Sequence, residues 1–176
     1  MIEVSSRLMQ EHQLILKYID LLYRYVDSDK NNLFLEKAPL FVQFIKEFAD
    51  KYHHAKEENI LFKALEEPGV LTHCNPVGQM LHEHDLGRQF VTSMIEACDK
   101  SDIHSLKENA KNYGLLLRDH IFKEDKILYP MAETNLSEEA KLAIAVEYQK
   151  VEDELDGDKI YKNFKTLYDE LELAIN

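Results

Sequence analysis

The feature that most restricts the fold is how rarely this sequence allows a long amphipathic run to stop. Its 176 residues include only 5 glycines and 4 prolines, the two residue types that most readily end a helix. Between them, apolar side chains recur every three to four positions. Leu8, Met9, His12, Leu16, Ile19 and Tyr23 share one face of a first helix that Ser5 or Ser6 can cap. The polar stretch DSDKNN (Asp27 to Asn32) is expected to end it. Pro39 suits the first turn of a second helix running to about Glu66, where Pro68-Gly69 stop it. Residues 79–99 read as a third helix, and Ser101-Asp102 offers a cap for a fourth that ends near Pro130. Helices of about 20 to 30 residues are roughly 30 to 45 Å long and, joined by short loops, predict an all-α, up-down four-helix bundle. A C-terminal helical extension begins at Ser137, breaks at Asp156-Gly157-Asp158 and runs on through Leu171. The expected organisation is a bundle over 1–134 with an extension, 135–176, packed on the same domain.

Composition excludes several classes of function. A formal net charge of -12, with no Lys/Arg cluster to reverse it locally, argues against nucleic acid and membrane as partners. No apolar run of about 18 residues occurs, and the MIEVSSRLMQEH start lacks a basic region followed by an apolar one. The chain is therefore expected in the cytoplasm, uncleaved. Cys74 and Cys98 lack CxxC spacing and suggest neither a disulfide framework nor a zinc ribbon. No Gly-rich phosphate loop, GxSxG elbow or HExxH helix is present, and no histidine has Glu three residues before it, as ferritin-like di-iron sites require.

One decapeptide occurs twice. HHAKEENILF from His53 aligns without gaps on HIFKEDKILY from His120, matching His53 with His120, Lys56 with Lys123, Glu57 with Glu124 and Glu58 with Asp125. In each copy a histidine precedes a glutamate by four residues, so both face the same way on a helix. Imidazole suits iron, copper, zinc or nickel, and a carboxylate can bridge two cations while offsetting their charge. The first copy also allows a His54–Glu58 register. Because Ile121 stands opposite His54 in the repeat, His53 and Glu57 are preferred and His54 is expected on the flank. One acid of each adjacent pair is expected to meet lysines on a solvated face. His12 and His84, each among apolar neighbours, add one inward histidine on each of the other two helices. Tyr52, Tyr113 and Tyr129 read as helical core aromatics, and His73 and His104 receive no role.

Together, Glu11-His12, HHAKEENILF, EHDLGR at Glu83 to Arg88 and HIFKEDKILYP resemble, in order, the hemerythrin-like, or HHE cation-binding, family over roughly the first 130 residues. The resemblance implies a bundle around two non-haem iron ions. His12, His53, His84 and His120 would be imidazole ligands and Glu57 and Glu124 carboxylate bridges, with Asp125 at the bridge position of the oxygen carriers. It implies binding of oxygen, nitric oxide or a related small ligand for sensing, scavenging or storage. The alternative is a peroxidase-like redox enzyme, or an iron donor for iron–sulfur cluster repair. Oxygen carriers have a further histidine where this sequence has Met80, and His82 is out of phase to replace it. Glu147 and Glu152 of the extension are candidate fillers of that place.

Overall fold

The computed structural model describes residues 3–176. Six helices follow one another: α1, Ser6–Asp27; α2, 31–65; α3, Val77–Asp99; α4, 103–135; α5, Glu138–Leu155; and α6, Gly157–Ile175. No strand occurs among the described residues. Helices α1 to α4 form the up-down bundle, in which α1 packs on α2 and α4, and α3 on α2 and α4. The extension folds back as a hairpin, with α5 lying on the later part of α2 and α6 on α1 and the earlier part of α2.

Local chemistry explains most of the boundaries. Asp102 caps α4 by accepting from the Ser105 N–H, and Ser137 caps α5 by accepting from the Ala140 N–H. The turn between α5 and α6 places Asp156 at φ 54°, in the left-handed region that Asp tolerates better than most residues. Ser5 occupies the N-cap position of α1, but its hydroxyl donates instead to Glu133 Oε1 at 2.7 Å.

Both proline boundaries need correction. The second helix begins at Asn31, not near Pro39, which lies inside it. Burial of Phe34 and Ala38 holds the turns before the proline, so packing outweighs the one backbone donor that proline lacks. Helix α4 passes Pro130 and ends at Asn135. Here the preceding turn, Glu124–Leu128, is π-helical, and its wider winding relieves the clash that a proline ring makes with the carbonyl four residues back. The last helix likewise continues past Leu171 to Ile175.

The core is two apolar clusters separated by a polar layer. One fills the end where α1 finishes and α2 begins, and includes Tyr18 stacked on Phe44 at 3.5 Å between ring centroids. The other contains Leu8, Leu61, Phe62, Val77, Met80, Leu128 and Tyr129. Between them lie His12, His53, Glu57, His84, His120 and Glu124, each 0 to 2% exposed. Groups so polar are seldom this deeply buried unless they are paired or bind a cation.

Candidate metal centre

Each bundle helix contributes one histidine to this layer. Their Nε2 atoms meet in pairs, His12 with His53 and His84 with His120, each pair 2.9 Å apart. Two imidazoles bound at right angles to one ion, with bonds of about 2.1 Å, would bring their nitrogens to about 3.0 Å. Each pair is therefore spaced to hold one ion.

Two carboxylates link the pairs. Glu124 places Oε2 at 3.3 Å from His12 Nε2 and Oε1 at 3.2 Å from His120 Nε2, so it spans both. Glu57 Oε2 lies 3.4 Å from His53 Nε2 and 3.6 Å from His84 Nε2. Its other oxygen accepts from the Tyr129 hydroxyl at 2.5 Å. Glu57 Oε2 and both Glu124 oxygens are buried without a hydrogen bond. Such orphaned oxygens are costly in a dry interior, and cations are the partners these donors suit.

The outward nitrogen of every histidine is also held. His53 Nδ1 lies 2.8 Å from Glu11 Oε2 and His120 Nδ1 2.9 Å from Glu83 Oε2. His12 Nδ1 lies 2.8 Å from Asp125 Oδ1, and His84 Nδ1 2.7 Å from Glu58 Oε1. Carboxylates so placed fix the tautomer and turn Nε2 inward. Glu58 and Asp125 are thus not the lysine-paired surface acids expected from the sequence, because the helix rotation that buries Glu57 and Glu124 aims them at histidines of neighbouring helices. The repeated Glu-His dipeptides, Glu11-His12 and Glu83-His84, were the available signal for the other two.

These contacts extend the sequence repeat to the whole centre, with α1 answering to α3 and α2 to α4. Lys56 binds Glu11 as Lys123 binds Glu83. A π turn starts at Glu57 and again at Glu124, bringing residues five apart into line. It sets Phe62 over Glu57 and Tyr129 over Glu124, both aromatics buried.

The arrangement shapes the titrations. Burial opposes charge on His12, but the hydrogen bond with Asp125 and the nearby Glu124 carboxylate overcome it and raise its pKa to about 9. The same opposition at His120 yields to Glu124 and Glu83, giving about 10. Burial, then the neighbouring Glu124 charge, pushes Glu57 well above the carboxylate range. Burial would also raise Glu124, yet His120 and His12 hold it well below.

A family model, the hemerythrin HHE cation binding domain, matches residues 4–132. The chain belongs to this family. Searches of curated proteins and of solved structures gave no match. The HHE match ends before the hairpin of α5 and α6, which nevertheless touches the centre's surroundings. Glu152 accepts from Lys56 Nζ at 2.7 Å and from the Tyr52 hydroxyl at 2.6 Å, so it lies behind Glu11 and not among the inward groups. Glu147 is half exposed and paired with Lys150, and neither acid fills the place at Met80. Met80 packs in the apolar cluster, while His82, His73 and His104 are exposed.

His54 departs from its expected position on the flank. Its ring is buried and stacks on His84, with centroids 3.7 Å apart and planes 13° from parallel. His54, His84 and His120 can each bring a nitrogen within 4.8 Å of the others. Stacked rings cannot both direct in-plane lone pairs at one ion, however, and His54 Nδ1 lies 3.1 Å from Asp50 Oδ1. We therefore read His54 as a wall beside the His84–His120 pair. Burial and His84 keep it neutral, with a pKa of about 4.

Proposed function

We propose that this HHE protein holds two iron ions, one at His12–His53 and one at His84–His120, bridged by Glu57 and Glu124. In this reading it binds oxygen, nitric oxide or a related small ligand for sensing, scavenging or storage. The observation that carries the proposal is the set of three buried, unbonded carboxylate oxygens facing four Nε2 atoms. When bound, a pair of reduced irons supplies an electron source and an open coordination position. The protein's part is to orient each imidazole, its Nδ1 held by a carboxylate so that Nε2 faces the ion. Tyr129 orients Glu57, and the two apolar clusters cover the polar layer at its two ends. No described helix is long and apolar enough to cross a membrane, and two free thiols, Cys74 and Cys98, fit the reducing cytoplasm we assign.

The absence of a fifth histidine at Met80 favours a second reading, a peroxidase-like redox enzyme or a donor of iron to cluster repair. Iron content and optical absorption of protein purified without air, then exposed to oxygen and degassed, separate the two. About two irons per chain, by the spacing argument above, with a visible band that reverses on degassing supports ligand binding. Irreversible oxidation or turnover of peroxide supports the second reading. Protein that takes up no metal overturns both.

A further inference from the structure

The two halves of the centre match closely until one residue. Aligning Glu11-His12 on Glu83-His84 places Ile15 of α1 opposite Gly87 of α3. In the first half, Ile15 packs with Ala49, Leu117 and Ile121 beside His12 and His53, leaving no room for a water molecule. In the second, the missing side chain contributes to a cavity of about 200 Å³ that reaches His84 and His120. A Cβ on Gly87 would meet only Tyr113 at 3.7 Å and Leu116 at 3.9 Å, which is ordinary contact, so close packing does not require the glycine.

The cavity has a clear polarity. Its inner end is formed by His54, His84 and His120, its walls include Ile45, Val91, Ile95 and Leu117, and the two carboxylates in its lining are already paired, Asp50 with Arg88 and His54, and Glu83 with His120 and Lys123. Exposed Lys46 and Thr92 stand at its mouth. Arg88 is occupied by Asp50, Glu58 and Asp85, whereas Lys46 forms no ion pair among the described residues. Tyr113, 5% exposed, also lines the cavity. An apolar cavity of roughly 150 Å³ accepts benzene, so this one has space for a ring-sized body with a polar head. Two divalent ions would carry more positive charge than Glu57 and Glu124 neutralise, which favours an anionic oxygen at the inner end.

We propose that this cavity binds a small organic carboxylate, its apolar body against Val91, Ile95 and Leu117 and its head toward the ion held by His84 and His120. The inference rests on the two-metal reading and makes its two positions unequal, one sealed by Ile15 and one open through Gly87.

The test titrates benzoate into protein loaded with Co(II), whose visible bands report the ligands around the ion. Metal content is measured first. Expected are one benzoate per chain, a shift of the Co(II) bands, and affinity weakened by about tenfold or more in Gly87→Ile with metal content unchanged. Val91→Phe fills the same cavity from one turn further along α3 and should behave alike if Gly87→Ile fails to fold. Failure to load metal overturns both this inference and the reading beneath it. Loaded protein that ignores benzoate, binds it without a change in the bands, or binds it equally in the filled variant overturns this inference alone.

Discussion

Tyr129 shows how one atom can support the centre without belonging to it. Its hydroxyl donates to Glu57 Oε1, leaving only Oε2 to face the histidines. Tyr129→Phe should cost the metal-free protein about 1 to 3 kcal/mol, the usual penalty for leaving a buried acceptor unmet, as read from urea unfolding. Protons supply a second prediction. In the metal-free protein His12 and His120 titrate at about 9 and about 10, above the ordinary imidazole value. Their stabilisation is fully present below about pH 6.5 and is lost as pH rises through 9 to 10. The melting temperature of metal-free protein should therefore fall across that window. Metal must displace the same protons, so uptake at pH 7 should release on the order of two per chain and weaken toward pH 6. Uptake that is flat with pH would count against histidine ligation.

At the scale of elements, the hairpin of α5 and α6 breaks the symmetry of the bundle. Lys56 is fully buried between Glu11 and Glu152, with its ammonium 3.6 Å from the centroid of the Tyr52 ring. Its counterpart Lys123 is 34% exposed. Lys56→Ala would strand buried carboxylates and should cost about 3 kcal/mol or more, whereas Lys123→Ala should cost about 1 kcal/mol or less. Equal losses in denaturant melts would refute this account of the hairpin. Ending the chain at Asn135 would also uncover the surface that Phe164, Leu171 and Ile175 bury. That shortened chain is expected to melt lower and to lose metal faster.

For the molecule as a whole, acid should act through the ring of carboxylates outside the histidines. The hydrogen bond with His120 lowers Glu83 to about 2, and His84 with Arg88 brings Glu58 to about 2 despite its partial burial. Both are depressed carboxylates. Their contribution is present above about pH 4.5 and disappears as pH falls toward 2. Unfolding midpoints should decline through that range, and less steeply in Glu58→Gln, which has no carboxylate there to titrate.

The sequence by itself determined the helical class, the bundle order and the inward set of His12, His53, Glu57, His84, His120 and Glu124, because 3.6-residue periodicity and a repeated decapeptide are local properties of the chain. His53 and Glu57 could be preferred over His54 and Glu58 from the repeat alone. Tertiary structure decided what depends on the neighbouring helix. Whether Glu58 meets a lysine or His84, and whether His54 is flank or wall, follows from how α2 is rotated against α3. Packing likewise carried helices through Pro39 and Pro130, and a π turn cannot be read from apolar spacing. The contrast between Ile15 and Gly87 was present in the letters, but a missing side chain becomes a cavity only when three helices leave the space unfilled.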